Sequence, residues 1–260
     1  MSFLLISDEY FINTKIKAGH QGMFNSNPPP NAPSIPSVPW TPRDVAWGLL
    51  TFVFWILFLL AASLIGKNLT LPVDMGLVII FGETVLLVPV WYLTVRKYSV
   101  SWANLGLRSF RIGTLGIGCG LMLLSLLFNL IYATILVFFD LQIQPDIDQL
   151  FETTAYPLAL FFGGAVVAPF VEEVFFRGFV FTGLIKKWDW KGAALISAAL
   201  FAVAHVVPTS FLPIFILGWI FAFLYKASGS IWPAIFMHMA TNTLALSAAY
   251  AISQGWVPAP

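Results

Sequence analysis

The stretch "VAPFVEEVFFRGF", residues 167–179, sets two adjacent glutamates and an arginine inside one of the most apolar runs of a 260-residue chain. On a helix, residues four apart share a face, so Glu173 and Arg177 pair and largely cancel each other's cost of leaving water. Glu172 is turned about 100° away. It is left without a cation of its own, and a carboxylate in an apolar surround suits a general base working near neutral pH. Two further apolar runs offer it polar company. "FAVAH" places Phe201 and His205 one turn apart, and "HMATN" places His238 and Asn242 one turn apart on a single face. Brought together, Glu172, His205, His238 and Asn242 can do one job. A carboxylate and an imidazole deprotonate a bound water, while the second imidazole and the carboxamide donate hydrogen bonds to the oxyanion of a tetrahedral intermediate. That is hydrolysis of an amide.

Plainer roles stand beside this one. Glu173 with Arg177 is equally a buried structural ion pair, which is compatible with catalysis next to it. Glu172 read as a structural carboxylate has to explain a second buried acid without a partner, which is expensive in a membrane. His205 alone reads as a core histidine bonded to a backbone carbonyl. Glu83, in an earlier apolar run, is either a hydrogen-bonded packing residue or a lining residue of the cavity.

The surroundings of these residues are written in the composition. The chain is 59% hydrophobic and 10% charged, against ~45–50% apolar and ~25% charged in ordinary soluble domains. Several runs exceed the ~18 apolar residues of a membrane-spanning candidate, and they are continuous rather than alternating, which excludes an outer-membrane barrel. The expected fold is an all-α, polytopic helix bundle with spans at about 46–66, 73–95, 112–139, 157–185, 192–207, 211–226 and 231–252. The fifth and sixth are short of the ~20 residues of a full span. They form either a tilted pair or a re-entrant hairpin, which makes the count seven or five.

Residues 1–44, with "NSNPPPNAPSIPSVPW", are expected to be a disordered, Pro-rich tail, and 45–255 a helical membrane domain. Arg43, Arg96, Lys97, Arg108, Arg111, Lys186, Lys187, Lys191 and Lys226 fall in alternate loops, which puts the tail and those loops in the cytoplasm. The third loop carries Asp140, Asp146, Asp148 and Glu152 with no basic residue, as an external loop does. The stripe Ala194, Ala198, Ala202 and the pair Gly116 and Gly120 are expected at close helix contacts. The single cysteine, Cys119, is expected to pack, and the tryptophans to face lipid and the interface.

Depth, at ~1.5 Å per residue, does not by itself bring the site together: Glu172 and His205 lie roughly 20 Å from the cytoplasmic end of their spans, and His238 roughly 10 Å. The motifs do. "EEVFFR", "FAVAH" and "HMATN", in that order on three apolar segments, resemble the Glu-Glu-x-x-x-Arg, Phe-x-x-x-His and His-x-x-x-Asn motifs of the CPBP family, which includes CAAX prenyl endopeptidases and bacteriocin-immunity (Abi) membrane proteins. The likeness covers about residues 155–250, and "SWANLGLR" at 101–108 is similar to the loop that often precedes that core. It implies that Glu172 and His205 activate water, that His238 and Asn242 form the oxyanion hole, and that Glu173 and Arg177 support them. A metalloprotease form of the resemblance has Glu172, His205 and His238 as three zinc ligands with an open fourth position. There is no His-Glu-x-x-His on one helix and no other clear ligand, so the preferred reading needs no metal and no other cofactor.

The expectation is therefore a membrane endopeptidase cutting near the cytoplasmic face, with a membrane-associated peptide or protein as substrate, prenylated or not. Lipid is its other partner, nucleic acid is not, and a bacterial inner membrane is its expected location. The alternatives are a catalytically silent immunity or scaffold protein of the same fold, and a proton-coupled transporter, which lacks the expected inverted repeats.

Overall fold

The computed structural model describes residues 34–68, 74–143 and 149–257, and every regular element among them is helical. The tail over 1–33 and the acidic Asp146 and Asp148 lie outside the described residues. In chain order the helices are α1 (Pro42–Asn68), α2 (Met75–Trp91, prolonged by a π-helical turn, Tyr92–Arg96), α3 (Gly113–Val137) and a short α4 (Gln149–Thr153). One long run follows from Pro157 to Ala204: α5 (Pro157–Phe162), a π turn (Gly163–Val167), α6 (Ala168–Glu172), a π stretch (Glu173–Phe181) and α7 (Thr182–Ala204). After a 3₁₀ turn at Pro208–Ser210 come α8 (Phe211–Ser228) and α9 (Trp232–Ser253).

Among the described residues, six helices are long and apolar enough to cross a membrane. The fold is thus the polytopic α-helical bundle of an integral membrane protein. The fourth and fifth expected spans are two legs of the single Pro157–Ala204 run. The reversal is at Asp189, whose φ of 53° lies in the left-handed region and whose Oδ1 accepts from the amides of Lys191 at 2.6 Å and Gly192 at 3.0 Å. Beyond it the returning leg lies on the first: Ser197 Oγ donates to Phe176 O at 2.8 Å, and Phe201 meets Phe176 edge-on.

The alanine stripe works as expected. Ala194, Ala198 and Ala202 are buried, and a Cβ at Gly218 of α8 would lie 3.1 Å from Ala198 Cα. The Gly116/Gly120 pair does not: a Cβ at either would meet nothing within 4 Å. The inward face of α3 is instead Thr114, Gly118 and Ser125, and a Cβ at Gly118 would come within 2.8 Å of Met237. Spacing identifies a face but not the direction it looks. For the same reason Cys119 is exposed rather than packed.

One end of the bundle is closed by chain segments rather than helices. The described residues from Ser34 onward are held against it: Arg108 Nη2 donates to Ser34 O at 2.7 Å and to Gly229 O at 2.9 Å, and Lys186 Nζ donates to Val38 O at 2.8 Å. Trp40, contrary to the lipid-facing expectation for tryptophans, is wholly buried with its Nε1 on Phe179 O at 3.0 Å. The "SWANLGLR" loop turns at Gly106, whose φ of 91° suits glycine, and Gly106 O accepts from the Ile231 amide. α9 therefore starts beneath the loop, with Ser230 and Ile231 fully buried.

At the other end Asp74 ties α2 to the start of the long run. Its Oδ1 accepts from Leu77 N, capping α2, and its Oδ2 accepts from Thr154 Oγ1 at 2.6 Å and from the amides of Ala155 and Tyr156. The Thr154 hydroxyl has the largest influence; with the three amides it outweighs partial burial and holds the Asp74 carboxyl below its ordinary range. A depressed carboxyl contributes stability above the unfolded pKa and loses it as pH falls through the folded one. Asp74→Asn is accordingly expected to unfold at lower temperature than wild type near neutral pH, with the gap closing in acid. A gap that persists unchanged at acid pH would assign Asp74 a role independent of its charge.

Candidate active site

The π stretch Glu173–Phe181 is the floor of the site, and all of its side chains are buried. π turns are rare and concentrate at functional positions. Here the third one, the second in the long run, follows directly on Glu172. Within it Arg177 Nη1 donates to Glu173 Oε1 at 2.9 Å, and both side chains are fully buried. Arg177 Nη2 donates to Gly218 O at 2.9 Å, and its guanidinium lies 4.3 Å over the Phe201 ring. Glycine at 218 leaves room for this approach, since a Cβ would stand 3.1 Å from Arg177 Nη2 and press on it.

Glu173 Oε1 holds a second partner, His238 Nδ1, at 3.0 Å. A carboxylate cannot donate, so Nδ1 carries the proton, and Nε2 is turned to Glu172, whose Oε2 stands 3.6 Å away. His238 is stacked on Phe221 at 4.9 Å and meets Phe201 edge-on at 5.6 Å. The depth mismatch between His238 and the glutamates is absent in the fold. The start of α9 is sunk beneath the Gly106 loop, so counting residues from the membrane surface placed His238 too shallow.

His205 closes α7. Its Nδ1 donates to Phe201 O at 2.9 Å, the backbone bond of a core histidine, and this leaves Nε2 with a lone pair. Phe201 is thus a common wall, touching Arg177, His205 and His238.

Asn242 is placed by a backbone defect. The Ala168 amide reaches Gly163 O, an i→i+5 bond; the next donor in that pattern would be residue 169, and Pro169 has no N–H. The Gly164 carbonyl is thereby freed, and Asn242 Nδ2 donates to it at 2.8 Å. One N–H of the carboxamide remains for another acceptor.

His205, His238 and Asn242 line a cavity of about 140 Å³ together with Asn129, Thr241, Ser210 and apolar side chains. Glu172 is not among the lining residues and adjoins the cavity through His238. The sequence reading paired Glu172 with His205, whereas the contact formed is with His238. The cavity extends from His238 towards Ile143 and Ser210, away from the end that carries Lys186 and Lys226.

The zinc-ligand reading does not fit these donors. Among the described residues no three His, Cys, Asp or Glu side chains stand together as a metal-holding group. Two polar groups were not assigned to the site from sequence. Glu83, on α2, is close enough to Glu172 for the two charges to act on each other. Its Oε2 is buried and accepts no hydrogen bond, so it is not the hydrogen-bonded packing residue that was one reading, and it does not line the cavity, which was the other. Asn129 was readable as a polar residue in an apolar span, the same signal that marked the glutamates.

Residues 154–244 match the family model described as Type II CAAX prenyl endopeptidase Rce1-like. The protein named "Putative membrane peptidase YdiL" of Bacillus subtilis (strain 168) is 37% identical over 79 residues, 30% of this chain and 32% of its own. The likeness thus spans about a third of that relative's length. No solved structure matches the chain significantly. The matched residues include all seven motif positions and leave Glu83 and Asn129 outside.

The ion pair carries a stability consequence. Arg177→Met strands the buried Glu173 and is expected to cost about 3–5 kcal/mol, read as a lower unfolding midpoint in detergent. The double variant Glu173→Gln, Arg177→Met is expected to recover most of that loss. No recovery would mean that Arg177 acts by packing on Phe201 rather than by its charge.

Proposed function

Since this chain belongs to the CPBP family of membrane proteases through residues 154–244, we propose that it is a membrane-embedded endopeptidase whose general base is Glu172. One observation carries the reading: a carboxylate oxygen with no hydrogen bond, Glu172 Oε2, faces His238 at the edge of a cavity that His205 and Asn242 also line. Amide hydrolysis uses each of these groups. Glu172, aided by the His205 Nε2 lone pair, takes a proton from water as the water oxygen bonds to the scissile carbonyl carbon. Asn242 donates to the resulting oxyanion through its second N–H, and His238 joins it from Nε2 in its doubly protonated form, which Glu172 and Glu173 on either side favour. The proton held by Glu172 then goes to the departing nitrogen as the C–N bond breaks. Glu173 fixes the His238 ring and Arg177 fixes Glu173, so both position rather than react.

The substrate in this reading is a membrane-associated peptide. The end gathering Arg108, Lys186 and Lys226 faces the cytoplasm by the distribution of basic residues, in a bacterial inner membrane. Wild type and Glu172→Gln, purified into lipid nanodiscs, should be offered lipid-tethered peptides with and without a prenylated C-terminal cysteine, with and without a chelator. Wild type is expected to cut and the variant to lose about 10²–10⁴-fold in rate, with no effect of the chelator. Equal cutting by both would remove Glu172 from the chemistry. Cutting abolished by chelator and restored by zinc would overturn the metal-free route, and a wild type that cuts nothing would favour the scaffold alternative.

A further inference from the structure

Asn129 lies outside the matched family core, on α3, a helix whose other large side chains are mostly exposed on the lipid side. An amide there is costly unless it is used, because lipid supplies no hydrogen bonds and an unpaired buried polar group forfeits its hydration. Ser125, one turn earlier, faces inward, and Gly118 lets the same face approach Met237 of α9 and Leu224 of α8. Asn129 continues that face into the cavity shared by His205, His238 and Asn242.

The other polar lining groups already have protein partners. His205 Nδ1 is on Phe201 O, His238 Nδ1 on Glu173, Asn242 Nδ2 on Gly164 O and Thr241 Oγ1 on Met237 O. The Oδ1 of Asn129 is buried and accepts no hydrogen bond. A carboxamide offers an acceptor and a donor side by side. The ligand group that satisfies both at once is another amide, that is, a peptide group in an extended backbone. A lone hydroxyl or amine is a poorer complement, and a carboxylate would face Oδ1 with like polarity.

We propose that Asn129 is a substrate-positioning residue, pairing through its carboxamide with a peptide group that flanks the scissile bond. This rests on the endopeptidase reading and extends it beyond the family motifs. α3 supplies backbone recognition from a helix outside the family match, so that the scissile carbonyl is presented to His238 and Asn242 in one register. Removing the pairing raises KM more than it lowers kcat, because the catalytic groups are untouched.

The test uses Asn129→Leu, which keeps the bulk and removes both hydrogen-bonding atoms, with the lipid-tethered peptides and a series in which single backbone amides are N-methylated. The expected result is a loss of about 10- to 100-fold in kcat/KM, mostly in KM, with an unfolding midpoint no lower than wild type. N-methylation at one position near the cut should cost wild type a similar factor and cost the variant nothing further. Unchanged kcat/KM, or the same N-methylation penalty in both proteins, overturns the pairing. A lowered midpoint with kcat and KM changed alike assigns Asn129 a structural role and also overturns it. The N-methylation series on wild type decides the matter even where the variant fails to fold: one sensitive position near the cut supports the pairing, and a series with no sensitive position overturns it. If wild type cuts no peptide at all, the endopeptidase reading falls and the pairing with it, an outcome distinct from cleavage indifferent to Asn129.

Discussion

A guanidinium fully enclosed by aromatic and aliphatic side chains cannot stand alone, and most of this site follows from how Arg177 is accommodated. Its charge is met by Glu173, its second nitrogen by the carbonyl of Gly218, and its flat face by Phe201. Each partner lies on a different segment: the π stretch, α8 and α7. Satisfying one cation thereby fixes three segments relative to one another. Glu173 then has a lone pair left on the same oxygen, and His238 of α9 takes it. The chain from Gly218 through Arg177 and Glu173 to His238 is a continuous polar connection in an apolar bundle, where each broken link leaves a buried group unpaired. It sets the imidazole that faces Glu172, so the stability of the bundle and the geometry of the site rest on the same hydrogen bonds.

Backbone irregularity does the complementary work. An unbroken α-helix through Glu172 would satisfy its own carbonyls and offer nothing to a neighbour. The π turn and Pro169 free the Gly164 carbonyl, which only Asn242 among the described side chains is seen to meet. A defect in one helix thus orients a side chain on another. The loop at Gly106 acts from farther away. By covering the start of α9 it lowers His238 to the level of the glutamates, a matter of where a helix begins rather than of what it contains.

These origins explain which features were legible in the sequence. The pairing of Glu173 with Arg177 depends on spacing within one segment, and i,i+4 neighbours meet in the π stretch as they would in an α-helix. Apolar runs named the spans for the same reason: lipid leaves helices as the available solution. What spacing could not supply was direction or depth. Gly116 and Gly120 mark a smooth face, but α3 turns Gly118 inward and leaves that pair outside. Glu172 was matched with His205 by the family resemblance, and the side chain the fold brings against it is His238. Glu83 stood out as a charge in an apolar run, yet nothing local says that α2 brings it to Glu172. Asn129 sent a similar but weaker signal, because an amide costs less than an ion.

The distribution of unpaired polar atoms connects these strands. Among the described residues the buried side-chain atoms without a hydrogen bond are those of Glu83, Ser125, Asn129, Glu172, Glu173, Arg177 and Tyr225. Four of these seven side chains belong to the Glu172 site or act on it, Asn129 lines its cavity and Ser125 lies one turn from Asn129. A bundle under selection for stability alone would replace such groups with apolar ones of similar volume, often at no cost. Their concentration around one cavity leaves hydrogen-bonding capacity unfilled there, as the proposed endopeptidase would need for a water and a peptide group. Elsewhere the interior is closed by apolar packing, as in the aromatic cluster of Trp40, Phe175, Phe179 and Phe181. Tyr225, whose buried hydroxyl has no partner within that core, is the exception; the other six side chains gather at the cavity end. α3 contributes to that cavity through Asn129, beside the helices that carry the motifs.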